Sequence, residues 1–172
     1  MLISIGHTGP TLLGDIWLAV SEIGLVAVEF PATQEAFSGA LARQHAAQIV
    51  FDPHQTADAV QQVCEYLSGQ RRVFTLPLDW SGFRPFQRLV LQLTCQIPYG
   101  ETRSYRDLAV QAGNPRAARA VARVQATNPM PLVIPCHRVI GADGTLRGYG
   151  GGEGLVTKQR LLDLEKGNLP VT

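Results

Sequence analysis

The stretch "TRSYRDLAVQAGNPRAARAVARVQATNP", residues 102–129, determines the architecture predicted for the C-terminal half of the chain. Ser104 is followed three residues later by Asp107, a variant of the capping box, so a helix is predicted to begin there. The turn "AGNP" follows, and because proline is tolerated in the first turn of a helix, a second helix is predicted to begin near Pro115. Two helices joined by a short turn that contains glycine are typical of a helix-turn-helix motif.

The second predicted helix carries arginines on one face. Arg116, Arg119 and Arg123 are spaced i, i+3 and i+7. The residues around them are short, notably Ala118, Ala120 and Ala122. One interpretation is an ordinary amphipathic helix with a solvated basic stripe. The other is a helix whose backbone approaches a nucleic acid closely while its arginines contact phosphates or fill the space of a displaced base. We favour the second interpretation because of the charge around it.

Charge is distributed unevenly along the chain. Residues 1–80 contain three Lys or Arg against eight Asp or Glu, a net charge of −5, whereas residues 81–172 contain twelve against six, a net charge of +6. Nearly all of the basic residues are arginine, whose planar group can bind two phosphate oxygens at once. A polyanionic partner is therefore expected for the C-terminal half.

Composition limits the class of protein. The 172 residues are 45% hydrophobic and 17% charged, enough for one medium or two small domains with a real core. No apolar run is long enough to cross a bilayer, and the N-terminus lacks a signal-peptide pattern, so no membrane association is expected. Three widely spaced cysteines argue against a disulfide framework and favour a cytoplasmic location. Cys64 and Cys95 lie in helical patterns and are interpreted as packing residues.

The two halves differ in their predicted elements. "MLISIGH", "DIWLAVSE" and "GLVAVEF" predict a small antiparallel sheet. Helical patterns cover residues 33–47 and 56–67, with a break at Asp52-Pro53, and "VFTLPLDW" (residues 73–80) predicts a further strand with an edge proline. We therefore predict an α/β (α+β) protein, with a sheet-plus-helix domain at residues 1–80 and a mainly helical domain at residues 81–172.

A second stretch, "LVIPCHRVIG" at residues 132–141, places a thiol, an imidazole and a guanidinium in succession at Cys136, His137 and Arg138. A free thiol has a pKa of about 8.5, and a nearby imidazole and cation lower it. His137 can reach Cys136 only if the backbone turns sharply or a water bridges them. A base also needs an orienting group, and the candidate is Glu165 in "TKQRLLDLEKG", although an exposed helical carboxylate is the plainer interpretation.

Two loops complete the pattern. Asn128 is a turn residue whose amide can also tie neighbouring segments together. "RGYGGGEG", residues 147–154, is rich in glycine around one tyrosine. Such a loop is either a flexible surface segment or a wall whose backbone N–H groups approach a flat ligand.

Several of these segments together resemble the O6-alkylguanine-DNA alkyltransferases. The segments "IPYGETRSY", "NPRAARAV", "IPCHRVIGADG", "GYGGG" and "KQRLLDLE" occur in the family's order over about residues 83–166. The resemblance implies a small ribonuclease-H-like N-terminal domain with a supporting role. It also implies irreversible transfer of the O6-alkyl group of guanine to a cysteine, in a single turnover that needs no cofactor.

The same resemblance implies roles for single residues. Cys136 takes the alkyl group, His137 accepts the thiol proton through a water, and Glu165 orients His137. Asn128 supports the active-site turn, and Tyr105 hydrogen-bonds the flipped guanine. The implied DNA contacts, with Arg119 filling the gap in the base stack, are Ser104, Arg116, Ala118, Arg119, Ala120, Ala122 and Arg123. The implied pocket for the base consists of Pro131, Val139, Tyr149, Gly150 and Gly151.

The implied partner is double-stranded DNA that contains O6-alkylguanine and is bound through its minor groove. A monomer is expected, with clustering along DNA left open. No metal site is predicted, because Cys64 and the scattered His7, His45 and His54 lack paired ligand spacing.

Three alternatives remain at this stage. A non-catalytic sensor of alkylated DNA would lack the cysteine that this chain keeps. A thiol hydrolase using Cys136, His137 and Glu165 leaves the arginine-bearing helix unexplained. A plain helix-turn-helix regulator leaves "PCHRV" unexplained.

Overall fold

The computed structural model of the chain describes residues 1–168, so the last four residues of the domain predicted at 81–172 lie outside the described part. The chain divides into two compact units, one formed by Met1–Asp79 and the other beginning at Trp80. No helix among residues 1–168 is long and apolar enough to cross a membrane.

The first unit is a four-stranded sheet with two helices. Its elements are β1 (Leu2–Thr11), β2 (Gly14–Val20), β3 (Leu25–Glu29), α1 (Gln34–Gln44), β4 (Gln48–Phe51) and α2 (Pro53–Leu67). The strand order is β3-β2-β1-β4, and β1, β2 and β3 are antiparallel, which agrees with the predicted fold class. β4 runs parallel to β1 and was not predicted. Asp52 caps α2, so the predicted break at Asp52-Pro53 is the N-terminus of that helix.

One hydrophobic core of this unit joins the sheet to α1. The buried residues are Ile3, Ile5, Trp17, Ala19, Val26, Ala27, Phe37 and Leu41. The sheet and α2 approach closely at Gly6, where an added Cβ would overlap the Thr56 side chain. A side chain at Gly6 would therefore push α2 away from β1.

The prediction of a strand at residues 73–80 is wrong. Only Leu78 pairs, as an isolated parallel bridge to Leu25. The Pro77 carbonyl accepts a hydrogen bond from the Leu25 N–H, and the Asp79 N–H donates to the Leu25 carbonyl. Pro77 has no N–H of its own to extend the pairing, so the ladder stops there.

The second unit is mainly helical. Its elements are α3 (Pro85–Cys95), β5 (Arg103–Ser104), α4 (Tyr105–Gln111), α5 (Ala118–Ala126), a 3₁₀ turn (Cys136–Arg138), β6 (Val139–Ile140) and α6 (Leu155–Glu165). β5 and β6 form a two-residue parallel pair that holds the start of α4 beside the end of the 3₁₀ turn. The core that joins these elements contains Val90, Ile97, Leu108, Ala109, Val121 and Val139.

The helix pair has the predicted cap but a later second helix. The Ser104 hydroxyl accepts from the Asp107 N–H at 3.0 Å, and the Asp107 carboxylate accepts from the Ser104 N–H at 2.8 Å, so the capping box is confirmed. α5 begins at Ala118, not near Pro115, because Asn114 accepts the Arg116 N–H and holds the preceding residues in a turn. Arg116 therefore lies before the helix that carries Arg119.

The two cysteines that were predicted to be packing residues are less buried than that prediction requires. Cys64 is only half-buried, and Cys95, the last residue of α3, is exposed. All three cysteines are free thiols.

Candidate functional site

Cys136 lies at the start of the 3₁₀ turn and is 5% exposed. Asn128 shapes the segment that leads into it, because its amide donates to the Ile134 carbonyl at 2.9 Å and its oxygen accepts from the Met130 N–H at 3.0 Å. Within this segment Leu132 has a φ of 74° although it is not glycine. A fully buried leucine in that region stores strain that the surrounding packing must offset.

His137 and Glu165 form a buried pair. His137 Nε2 and Glu165 Oε1 are 2.7 Å apart, and both side chains are fully buried. Sequence reasoning proposed this pairing, and the structure brings the two residues together across 28 positions of chain.

Arg138 completes the network around Glu165. Its Nε and Nη2 donate to the carboxylate at 2.9–3.1 Å, and its Nη1 donates to the Ile97 carbonyl at 2.6 Å. The Gly100 N–H also donates to Glu165, at 2.9 Å. A fully hydrogen-bonded carboxylate surrounded by donors is held ionised, so Glu165 acts only as an acceptor.

Burial raises the pKa of the Glu165 carboxyl, but the hydrogen bonds and charges of His137 and Arg138 outweigh it and lower that pKa to about 2. Burial lowers the pKa of His137 despite the opposing carboxylate, with a smaller contribution from the charge of Arg138. Because the ionised carboxylate can only accept, His137 donates from Nε2, and Nδ1 is the ring nitrogen that can take up a proton.

The thiol has opposing influences. Burial has the largest effect and raises the pKa of Cys136, while the Asn128 side chain, the charge of Lys158 and the backbone N–H groups at the turn oppose it. Groups that favour the thiolate therefore surround a buried sulfur.

Lys158 is a site residue that sequence reasoning missed. Its side chain is fully buried, and Nζ donates to the Val139 carbonyl at 2.6 Å, to the Arg147 carbonyl at 3.0 Å and to the Tyr105 hydroxyl at 3.5 Å. Burial lowers the pKa of Lys158 to about 8, against the influence of Cys136. Lys158 precedes Glu165 by seven residues, which is two helical turns, so the shared face of α6 was a signal that could have identified it.

The predicted pocket residues lie around the same turn. Val139 and Pro131 are buried, and Val139 directly follows Arg138. Tyr149, Gly150 and Gly151 belong to the loop whose start, Arg147, is tied to Lys158. The pKa of Tyr105 is raised by burial and by the charge of Cys136.

The predicted nucleic-acid contacts lie mostly on one exposed surface. Arg116, Arg119, Ala120 and Arg123 are exposed, and Ala118 and Ala122 are half-buried. A groove of about 520 Å³ adjoins this surface and is lined by Arg84, Phe86, Gln87, Ala120, Arg123, Val124 and Thr127. Ser104, in contrast, is buried and its hydroxyl is engaged in the capping box.

Metal ligands do not cluster in the described part of the chain. Among residues 1–168 no group of three or more His, Cys, Asp or Glu side chains is placed to hold a metal ion.

Comparison with known proteins places both units in one family. The model of the 6-O-methylguanine DNA methyltransferase DNA-binding domain matches residues 85–167, and that of the ribonuclease-like domain of the same proteins matches residues 7–80. A methylated-DNA–protein-cysteine methyltransferase of Methanosarcina barkeri is 41% identical over 157 residues, which is 91% of this chain and 94% of that protein. One of Mycolicibacterium paratuberculosis is 49% identical over 121 residues, 70% of this chain and 72% of that protein.

A solved structure is also similar. The crystal structure of Mycobacterium tuberculosis OGT in complex with DNA superposes with a TM-score of 0.78 at 34% identity, covering 97% of this chain and 95% of that one.

Proposed function

The chain belongs to the 6-O-methylguanine DNA methyltransferase family, and from this membership we propose that Cys136 is the residue that receives the alkyl group. The protein is a methylated-DNA–protein-cysteine methyltransferase, which repairs DNA by direct reversal through alkyl transfer to a cysteine. The observation that supports Cys136 is its place in the buried 3₁₀ turn directly before His137, whose Nε2 lies 2.7 Å from Glu165 Oε1.

DNA is the partner of the protein. We infer that the substrate is O6-alkylguanine in duplex DNA and that α5 enters the minor groove. The exposed arginines at 116, 119 and 123 support this placement, as do the small side chains of Ala118, Ala120 and Ala122. The sensor, hydrolase and regulator alternatives are set aside because the relatives are methyltransferases.

The O6-alkyl group of a paired guanine cannot reach a buried thiol, so the nucleotide has to leave the base stack. Unstacking costs a few kcal/mol, and less for a poorly paired damaged base. In the proposed complex Arg119 occupies the vacated space. Val139, Gly150, Gly151 and Pro131 form the walls around the extruded guanine.

His137 activates the thiol. Its Nε2–H is held by Glu165 at 2.7 Å, so Nδ1 receives the Cys136 proton through a bridging water. The neutral imidazole needed for this step is available at neutral pH because burial lowers the pKa of His137.

The transfer itself is a displacement at the alkyl carbon. The Cys136 thiolate forms an S–C bond as the bond between that carbon and guanine O6 breaks, and the electron pair stays on guanine. Tyr105 donates a hydrogen bond to the leaving base. The guanine anion then takes up a proton from water, which balances the proton that Cys136 gave to His137. A thioether is not hydrolysed by water, so each protein molecule acts once and needs no cofactor.

We propose further that the protein acts as a monomer in the cytoplasm and that residues 1–80 support the reactive half. Free thiols at all three cysteines support a reducing location.

The direct test is to incubate the protein with duplex DNA that carries O6-methylguanine and to measure the mass of its peptides. We expect one added methyl group on the Cys136 peptide, complete at one equivalent of DNA. Cys136→Ala should abolish transfer, whereas Cys95→Ala, at an exposed thiol, should leave it intact. A methyl group on another residue, or none, would refute the assignment.

A further inference from the structure

Helix α5 packs against α3 through both apolar and polar side chains. Val121 and Gln125 are the buried residues of α5 and lie one helical turn apart. On α3, Val90 and Thr94 are buried with the same spacing. Val90 and Val121 belong to one apolar core, whereas Gln125 Nε2 donates to the Thr94 hydroxyl oxygen at 2.7 Å. The contact between the two helices therefore has an apolar part and a polar part.

The backbone of α3 fixes the direction of this hydrogen bond. The Thr94 hydroxyl uses its single proton to donate to the Val90 carbonyl at 2.8 Å, so its oxygen can only accept from the Gln125 amide. The amide nitrogen of Gln125 therefore faces Thr94. Gln125 Oε1 is buried and has no hydrogen-bond partner within residues 1–168.

This arrangement is not the most stable way to fill the space between the two helices. A buried acceptor without a partner is unfavourable, and replacing both partners of a buried hydrogen bond by apolar groups of the same shape can be neutral or stabilising. What the hydrogen bond adds is a defined geometry. The hydrophobic effect is non-directional and tolerates small shifts, whereas a hydrogen bond weakens steeply with distance and angle. Thr94 and Gln125 therefore define one position of α5 along α3.

The position of α5 matters for the side chains that it exposes. Arg119 and Arg123 are exposed on this helix, and in the proposed function Arg119 occupies the space that the extruded guanine leaves. Misplacement of a functional group by about 1 Å can reduce a rate about 100-fold. The free base O6-methylguanine needs no extrusion, so its reaction does not depend on where α5 lies.

We propose that Thr94 and Gln125 are positioning residues that hold α5 where Arg119 can act on duplex DNA, and that this buried polar pair lowers the stability of the protein. The inference rests on the proposed function, because it assumes that α5 enters the DNA and that Cys136 receives the alkyl group. Neither residue takes part in the transfer step itself.

The test separates position from stability with two single variants. Gln125→Met has nearly the same shape, removes the unpaired acceptor and leaves the Thr94 hydroxyl bonded to Val90. Thr94→Ser keeps the hydroxyl but loses a fully buried methyl group, so it is the matched control. The measurements are the urea midpoint of unfolding and the rate of methyl transfer to Cys136 from O6-methylguanine, both in a duplex and as the free base.

We expect Gln125→Met to unfold at the same urea concentration as the wild type or at a higher one. It should nevertheless repair duplex DNA about five- to tenfold more slowly, the range for loss of one hydrogen bond, and should react with the free base at the wild-type rate. Thr94→Ser should show the reverse pattern, with a lower urea midpoint and wild-type rates on both substrates.

An unchanged duplex rate in Gln125→Met would overturn the proposal. Equal slowing with the duplex and the free base would also overturn it, because the pair would then support the reactive turn instead of α5. The same holds if Gln125→Met is strongly destabilised or does not fold, since the polar pair would then stabilise the protein. Failure of the proposed function looks different, because the wild type itself would transfer no methyl group to Cys136.

Discussion

At the residue scale, the Glu165 carboxylate connects three segments that are far apart in the chain. It accepts hydrogen bonds from His137 and Arg138 in the reactive turn and from Gly100 before β5. Removing one partner from such a buried pair typically costs about 3–5 kcal/mol, because the remaining charge is left without compensation. Arg138 is therefore a positioning residue: it touches neither the sulfur nor the base in the proposed mechanism, yet it keeps Glu165 ionised for His137.

The stability of the protein should depend on pH through Glu165. Its folded pKa of about 2 is lower than the usual value of 4.5, so its contribution is present above pH 4.5 and is lost as the pH falls toward 2. The shift corresponds to about 3 kcal/mol. The measurement is the free energy of unfolding of the wild type and of Glu165→Gln between pH 6 and about pH 2.

The difference in the free energy of unfolding between the wild type and Glu165→Gln should become smaller as the pH falls over that interval. The other carboxylates titrate equally in both proteins and do not affect this difference. A difference that stays constant down to the lowest pH would show that Glu165 is not held ionised by its partners.

At the scale of the element, α4 begins with a capping box that also fixes the position of Tyr105. Ser104 belongs both to β5, which pairs with β6, and to the cap of α4. The helix therefore starts beside the reactive turn, and its first residue, Tyr105, reaches Lys158. Ser104 was predicted to contact DNA, but its hydroxyl serves this cap.

Ser104→Ala should lower the free energy of unfolding by about 1 kcal/mol, the usual effect of losing an N-cap. Ser104→Thr retains the hydroxyl, so its free energy of unfolding should fall much less. Urea denaturation of the three proteins measures the difference.

The same variants should bind lesion-free duplex DNA with unchanged salt dependence. A reduced salt dependence in Ser104→Ala, with stability unaffected, would instead support a direct contact between Ser104 and DNA.

At the scale of the whole molecule, the uneven charge of the sequence corresponds to exposed arginines on the second unit. Arg84, Arg88, Arg116, Arg119 and Arg123 are exposed and form no ion pair within residues 1–168. Arginines left without carboxylate partners are available to phosphates. Residues 1–80, in contrast, have a net charge of −5 and contain only three arginines.

Affinity for lesion-free duplex DNA should therefore fall steeply with salt, by a log–log slope of about 0.9 for each phosphate contacted. Arg123→Ala should reduce that slope by about one unit. Arg43→Ala removes an exposed arginine of α1 and is the matched control. It should leave the slope unchanged. Filter binding or fluorescence anisotropy over a salt series measures the slope.

Reaction with the free base O6-methylguanine needs no phosphate contact, so its rate should change little over the same salt series. If the rate with the free base fell with salt as steeply as the affinity for duplex DNA, these arginines would not act through the DNA backbone.

The sequence by itself determined the features that depend on neighbouring residues: the antiparallel strands of the first unit, the capping box at Ser104, and the thiol next to an imidazole at Cys136 and His137. The resemblance to the family added the pairing of His137 with Glu165. Only the tertiary structure decided that β4 is parallel to β1, that Leu78 makes a single bridge, and that α5 begins at Ala118. It also decided that Arg138 and Lys158 are buried and that the Tyr149 hydroxyl has no hydrogen-bond partner within residues 1–168. The physical reason is that local patterns depend on backbone geometry over a few residues. Which charge or hydroxyl loses its water depends on segments brought together from distant parts of the chain.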